Sequence, residues 1–176
     1  PIAMGEWIRR LTARCLLLLY KDAIQQFFRP VQLGINTPCG VEACVKALQA
    51  HIELRPDLIT IKVDIANAFN TVFRRPFFDA LMHTPSLGGM LPFVRLFYHD
   101  TSTMWFTAFD VEDAIAVECA VGTQQGCTHG SLLFSMAIQP VLRWLRTTMN
   151  SRRPSATSGS RFIRPGSSPA RQAAVP

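Results

Sequence analysis

The amino-acid sequence predicts an α+β fold in which an antiparallel sheet packs on helices. Two long segments, Gly5–Phe28 and Gly130–Met149, have apolar residues at helical spacing. Between them lie three short apolar runs that are typical of strands, Leu58–Val63, Thr103–Phe109 and Ala114–Cys119. At 176 residues, the chain is long enough for one domain with a buried core.

The first predicted helix, Gly5–Phe28, has a break near Tyr20 and ends at Arg29-Pro30. The residue before a proline avoids the helical region, so the helix cannot continue there. A second helix is predicted to start at Thr37-Pro38, because Thr is a good N-cap and Pro suits the first helical position. Its apolar stripe consists of Val41, Cys44, Val45 and Leu48.

The run Leu58–Val63 follows a turn at Arg55-Pro56-Asp57 and predicts a buried strand that ends at Asp64. After a short turn, helical segments are expected around Pro76–His83 and Leu91–Asp100, separated by Pro85–Gly89. The acidic stretch Asp110–Asp113 is a natural hairpin loop between the last two strands. The loop 121–129 precedes the last helix, whose apolar stripe is Leu133, Ala137, Val141 and Leu145.

Composition divides the chain into a partial domain at 1–149 and a tail at 150–176, for which we predict disorder. The tail is rich in Ser, Arg, Pro and Gly and has too few apolar residues to offset chain entropy. Five of the 18 Lys and Arg residues lie in it, and the remaining 13 nearly balance the 12 Asp and Glu. The net charge of +6 is therefore weak evidence for a nucleic-acid-binding surface on the folded part.

The five cysteines contain no CxxC pair and no zinc-like spacing, which favours reduced thiols in an intracellular protein of the nucleus or cytoplasm. The apolar stretch CLLLLY is far shorter than the roughly 20 residues of a membrane span, so no membrane partner is expected. Because the chain begins with Pro, we expect it to be incomplete at its start.

Two segments could carry chemistry. In KVDIANAFN, Asp64 stands at the end of the predicted strand, where a rigidly held carboxylate could bind a divalent cation. The alternative is that Asp64 only caps a turn and Phe69 is core. In GTQQGCTHGS, Gly126 and Gly130 let the backbone approach a ligand, and the following helix offers N–H groups suited to phosphate. The alternative is an ordinary strand-to-helix loop.

Taken together and in this order, the segments resemble the reverse transcriptase domain of non-LTR (LINE-type) retrotransposons. KVDIANAFN is similar to motif A, and VGTQQGCTHGSLLFSMAIQPVL is similar to motif B. VQLGINTPCGVEA resembles the family's Q-x-G segment and the G-x-E helix that follows it. PIAMGEWIRRL resembles the segment that leaves the fingers, so the resemblance covers Pro1 to about Arg146.

The resemblance implies the partial fingers and palm of a right-hand polymerase, an RNA-directed DNA polymerase that uses Mg²⁺ for nucleotidyl transfer. An RNA template, a DNA primer and deoxynucleotides are the implied partners. Asp64 would be the catalytic aspartate and a metal ligand, together with the backbone carbonyl of Ile65. Phe69 would close against the sugar 2′ position, and Ile65, Gln125 and Gly126 would help to bind the nucleotide.

The chain also departs from the family. Motif C, an aromatic-x-Asp-Asp hairpin, should follow the motif B helix, but MNSRRPSATSGS stands there and no Asp or Glu follows Glu118. Motif B has Cys127, Thr128, His129 and Ser131 where Asp, Pro, Leu and Pro are usual. Because one carboxylate holds two repelling cations poorly, we expect a truncated fragment that is inactive alone. The alternatives are a non-catalytic nucleic-acid binder or a structural remnant of a retroelement.

Overall fold

The computed structural model describes residues 7–57, 59–106, 115–124 and 126–151. Within these ranges the chain is mainly helical, with one small antiparallel sheet, which confirms the α+β class. Its elements are α1 (Trp7–Leu19), α2 (Lys21–Phe28), α3 (Gly40–Leu54), α4 (Ala68–Thr71), α5 (Arg75–Met82), a 3-10 helix (Pro85–Met90), α6 (Leu91–Tyr98), β1 (Ser102–Phe106), β2 (Ile115–Cys119) and α7 (Gly130–Ser151).

The break near Tyr20 is confirmed, because Tyr20 separates α1 from α2. The end of α2 is confirmed as well, since Arg29 before the proline has an extended backbone (φ −64°, ψ 149°). The predicted start of α3 at Thr37-Pro38 was two residues too early, since the helix begins at Gly40 with Cys39 as its N-cap. Gly40 packs against the carbonyl of Leu33, where a side chain would overlap, and the preceding Cys39 has a positive φ of 51° that ends the turn.

The prediction of a buried strand at Leu58–Val63 was also wrong. Residues 59–65 have no regular secondary structure, and Ile59, Ile61 and Val63 are 89%, 77% and 79% exposed. A strand needs a neighbour to pair with its N–H and C=O groups. In the described ranges the two strands are β1 and β2, and these pair with each other. The alternating apolar residues therefore have β propensity but no sheet to join.

The two later strands are confirmed within the described residues. β1 begins one residue earlier than predicted, and the predicted ends at 107–109 and Ala114 lie outside the described ranges. β1 and β2 pair antiparallel from Ser102 opposite Cys119 to Phe106 opposite Ile115. The predicted hairpin loop Asp110–Asp113 lies outside the described residues, as does most of the predicted tail. The helices predicted around Pro76–His83 and Leu91–Asp100 are α5 and α6, and Pro85–Gly89 between them belongs to the 3-10 helix.

The core lies where the first half of α7 packs against α2, α5 and α6. Its buried apolar side chains are Ile24, Phe28, Phe77, Leu81, Leu87, Met90, Val94, Tyr98, Leu132, Leu133, Met136 and Ala137. Each large one contributes about 1.5–3 kcal/mol relative to exposure. The predicted stripe on α7 is buried at Leu133 and Ala137 but exposed at Val141 and Leu145, because the helix runs on beyond the core.

A chain of amide hydrogen bonds joins the segment after α2 to α7. The Gln32 Nε2 donates to the carbonyl of Ser135 (2.9 Å) and to Gln139 Oε1 (2.6 Å). In turn, the Nε2 of buried Gln139 donates to the carbonyls of Phe27 and Phe28 at the end of α2 (3.1 and 3.3 Å). These bonds satisfy two carbonyls that lack partners within their own helix. Gln32 is thus fixed on α7.

The described surface is unusually apolar in one region. Every residue of α3 after Gly40 is exposed, including its predicted stripe Val41, Cys44, Val45 and Leu48. The helix prediction for this segment is confirmed, whereas the stripe packs on no described element. No helix in the described ranges combines the length and apolar character needed to cross a bilayer.

Candidate nucleotide-binding pocket

The turn after KVDIAN, which resembles motif A, and the loop that resembles motif B are joined by backbone hydrogen bonds. Asn67 adopts a left-handed conformation (φ 52°) and starts the short helix α4, which carries Phe69. The N–H of Gly122 donates to the carbonyl of Val72 (2.8 Å), and the N–H of Thr123 donates to the carbonyl of Phe69 (2.6 Å). The two segments that resemble family motifs therefore lie side by side.

Glycine is required at position 122 for two reasons. Its φ of +78° is strained for any residue with a side chain, and a Cβ there would overlap the carbonyls of Asn70 and Phe69. The close approach of the two backbones depends on this glycine. Gly126 also has a positive φ, 89°, which turns the loop toward the start of α7.

A pocket of about 190 Å³ opens between motif A and motif B. Its lining combines the Phe69 side of the α4 turn, the loop, and the first turn of α7: Phe69, Gln124, Gly126, Cys127, Gly130 and Ser131. The Phe69 ring packs on Phe134 of α7, with a centroid distance of 5.1 Å, so its position is fixed. Two residues predicted to bind the nucleotide, Phe69 and Gly126, thus meet in one pocket.

The first turn of α7 makes this pocket suitable for an anion. The N–H of Gly130 donates to the Cys127 carbonyl and that of Leu133 to the His129 carbonyl (both 2.9 Å). For Ser131 and Leu132, the part of the chain described here supplies no backbone acceptor. These two amides stand at the positive end of a 22-residue helix, where phosphate groups commonly bind.

The other predicted site residues are not brought into this pocket. Gln125 lies outside the described residues. Asp64 and Ile65 are exposed, and the Asp64 Oδ1 accepts a hydrogen bond from the N–H of Ile65 (3.0 Å). In the described ranges, no hydrogen bond or ion pair connects Asp64 to the motif B loop.

The fit of the site to Mg²⁺ can be judged from its oxygen ligands. A pair of Mg²⁺ ions requires several carboxylates, because each ion takes hard oxygen ligands and the two ions repel each other. Among the described residues, no group of three His, Cys, Asp or Glu could hold a metal ion. Asp64 is a single carboxylate, and one of its oxygens accepts a hydrogen bond from the Ile65 N–H. The described residues therefore do not fit a two-ion centre.

Arg74, which was not predicted as a site residue, holds the start of the loop at 121–124 through its buried guanidinium. Its guanidinium is buried and donates to four backbone carbonyls: Gly122 (3.1 Å), Tyr98 (3.2 Å), Asp100 (2.8 Å) and Cys119 (2.6 Å). Burial lowers the pKa of Arg74, and no described carboxylate pairs with it. An Arg-Arg pair before a helix looks like exposed surface, so nothing in the sequence indicates this role.

The altered motif B residues pack tightly against α1 and α6. The Arg9 guanidinium contacts the Cys127 Sγ (3.5 Å), and the N–H of Gln124 donates to the Tyr98 hydroxyl (3.3 Å). Burial raises the pKa of Tyr98. His129 is 1% exposed, and burial, with a smaller effect from Arg9, lowers its pKa to about 4. Neither ring nitrogen of His129 has a hydrogen-bond partner among the residues described.

Comparisons of the chain with protein-family models, with curated proteins and with solved structures found no match. The resemblance of the two motifs to reverse transcriptases therefore stays a prediction. The pocket joins residues of the two segments that lie more than 50 positions apart.

Proposed function

We propose that residues 1–149 are a partial fingers and palm of a reverse-transcriptase-like polymerase, and that the pocket between motifs A and B binds a deoxynucleoside triphosphate. The observation that carries the proposal is the shared lining of this pocket by Phe69 and Gly126. The resemblance assigns both positions to the nucleotide, and they come together in a structure although 57 positions separate them in the sequence.

Each part of the pocket has a task in this proposal. The Phe69 ring, which packs on Phe134, is the side chain that we propose to stand against the sugar and to exclude a 2′-hydroxyl. The free N–H of Ser131, at the positive end of α7, donates a hydrogen bond to a phosphate oxygen. Gly126, with its positive φ, keeps the loop backbone close to the ligand without a side chain between them.

The polymerase reaction itself is a further part of the proposal. It would add a deoxynucleotide to a DNA primer on an RNA template, and Mg²⁺ would supply charge stabilisation of the phosphates when bound. The resemblance assigns Asp64 and the carbonyl of Ile65 to this ion, but the described residues do not fit a two-ion centre. Since no acid follows Glu118, we propose that the chain alone binds the nucleotide without transferring it.

The test is a comparison of deoxynucleotide and ribonucleotide binding by the full chain. Anisotropy of γ-labelled dATP and ATP would be measured with wild type, Phe69→Ala and Phe73→Ala. Phe73 is the matched control, because it is an aromatic four residues away that is 73% exposed and outside the pocket lining. We expect wild type to prefer dATP, and Phe69→Ala to bring the two affinities close together.

The control variant must keep the wild-type preference. Equal affinity of wild type for both nucleotides, or an equal loss in both variants, would reject the pocket as a deoxynucleotide site. Circular dichroism of Phe69→Ala separates lost selectivity from lost folding, because Phe69 also packs on Phe134.

A further inference from the structure

The segment 59–65 has the residue pattern of a strand but lies beside no described strand. Its apolar residues alternate with polar ones, so the apolar side chains would share one face of an extended chain. These residues are Ile59, Ile61, Val63 and Ile65, and each is at least half exposed. In the described ranges, the segment takes part in no backbone–backbone hydrogen bond. A chain of this kind is a template for pairing with another strand.

The helix before this segment, α3, carries a second uncovered apolar face. The residues of this α3 face are spaced at four, three and four positions, so they lie on one side of the helix. They are Val41, Val45, Leu48 and Ile52, and all four are exposed. Residues 55–58 alone join α3 to the segment, and a connection of this length commonly lets a helix pack on the strand beside it.

The polar face of the segment is complementary to the same face of a second copy. Lys62 and Asp64 stand on either side of Val63, and neither forms an ion pair with a described residue. Suppose that two copies pair antiparallel with Val63 opposite Val63. Lys62 of each copy then lies opposite Asp64 of the other, and Ile61 lies opposite Ile65. Such opposite-charge and apolar cross-strand pairs stabilise a sheet.

Charge favours this register over its neighbours. A shift by two residues keeps the apolar side chains on one face, but it places Lys62 opposite Lys62 or Asp64 opposite Asp64, which is destabilising. A shift by one residue moves the charges of one strand onto the apolar face of the other. Parallel pairing in register also sets like charges side by side. The favoured arrangement has two-fold symmetry, so the contact closes at two copies.

We propose that two copies of the chain associate by antiparallel pairing of residues 59–65, and that the α3 face of each copy packs on the apolar face of this ribbon. The second copy supplies the neighbouring strand that the segment needs. A ribbon of two strands is only marginally stable alone, and the packed helices give it a second layer. The inference goes beyond nucleotide binding, because the interface contains none of the residues that line the nucleotide pocket.

The test is sedimentation velocity of the full chain over a roughly hundredfold range of micromolar concentrations. We expect wild type to pass from monomer to dimer. Lys62→Asp places an acid opposite Asp64 at both ends of the two-fold register, so the dissociation constant should rise roughly tenfold to a hundredfold. Lys62→Asp/Asp64→Lys exchanges the two charges and should restore the wild-type dissociation constant.

Matched controls separate this interface from general effects of charge and hydrophobicity. Lys21→Asp makes the same charge change at an exposed position on α2 and should dimerise like wild type. Leu48→Gln removes an apolar side chain from the α3 face and should weaken the dimer. Leu96→Gln, at an exposed position on α6, should not weaken it. Circular dichroism verifies that each variant keeps its helices.

A chain that stays monomeric throughout the concentration series overturns the proposal, and so does assembly that grows beyond the dimer. Equal dissociation constants for wild type and Lys62→Asp, or a charge-exchanged variant that does not recover, also overturn it. The same holds if Leu48→Gln dimerises as tightly as Leu96→Gln. Phe69→Ala should dimerise like wild type, so failure of the nucleotide pocket and failure of this interface can be told apart.

Discussion

The N–H of Thr123 donates a 2.6 Å hydrogen bond to the carbonyl of Phe69, which lies 54 residues earlier in the chain. Next to it, the N–H of Gly122 donates a hydrogen bond to the carbonyl of Val72 (2.8 Å). Thr123 is buried, so water does not compete for these bonds. Phe69 and the loop at 121–124 consequently behave as one unit, and a change in either should alter the pocket.

Gly122→Ala should destabilise the chain by about 2–3 kcal/mol, because a methyl group must fit a left-handed backbone and would overlap two carbonyls. Urea unfolding followed by circular dichroism would measure the loss. Gly88→Ala is the control, since an added Cβ meets nothing within 4 Å there. Equal unfolding midpoints for the two variants would contradict the structural role of Gly122.

Arg74→Met should cost about 3 kcal/mol or more, because it removes a buried guanidinium and leaves up to four carbonyls without a donor. Arg74→Lys should recover only part of this stability, since an ammonium cannot reach all four oxygens. Thermal unfolding gives the measurement. Arg75→Met should change stability little, because Arg75 is exposed and its ion pair with Asp79 spans 3.6 Å. A similar loss of stability in Arg74→Met and Arg75→Met would argue against the proposed role of the four Arg74 hydrogen bonds.

Stability should fall as the solution is acidified from about pH 6.5 to about pH 4. The pKa of His129 is about 4 in the folded chain, below its ordinary value of 6.5, because the ring is buried. In that window the unfolded chain binds a proton that the folded chain does not. The contribution of His129 is a loss of up to about 3 kcal/mol, complete near the lower pKa.

Urea titrations across this pH range would measure the effect of His129. His129→Leu keeps an apolar side chain at the position and should flatten the pH dependence over the window. His51→Gln is the matched control, since His51 is exposed on α3. A pH dependence that persists in His129→Leu but disappears in His51→Gln would show that another group is responsible.

The full chain with Mg²⁺ should add no nucleotide to a DNA primer on an RNA template. Asp64 is the single acid in motif A, and no acid follows Glu118 to share two cations with it. A primer-extension gel would measure incorporation, with Asp64→Asn as the background. Templated extension by wild type that disappears in Asp64→Asn would contradict this expectation and establish a complete metal site.

Residue spacing and end signals predicted the helices and strands well where both signals lay within the segment itself. The break at Tyr20, the stop before Pro30, the paired strands and the long last helix all follow from residues within a few positions. Position 39 shows the limit, because the start of α3 depends on the Leu33 carbonyl against Gly40 and not on the Thr37-Pro38 signal.

The failure at 59–65 has a different physical cause. Alternation of Ile59, Ile61 and Val63 measures preference for an extended, half-buried chain, but a strand forms only beside another strand. Whether a partner strand lies beside the segment depends on the whole fold, and the sequence of the segment does not determine it. Phe69 and Gly126, which the resemblance singled out, line one pocket, and their role there stays a prediction. Arg74 could not be predicted from its own segment, because it reaches carbonyls contributed by four distant positions.

The amide pair Gln32–Gln139 also has a consequence for the order of folding. Its hydrogen bonds join residues 103 to 112 positions apart. The Arg143 guanidinium donates a further hydrogen bond to the Phe27 carbonyl, 116 positions earlier in the chain. During synthesis, α2 leaves the ribosome long before the helix that covers its end and buries Phe28. Because loop closure over such a span is slow, the core should close only after α7 has emerged. Until then, the nascent chain exposes Phe28 and Leu81 and is open to chaperones.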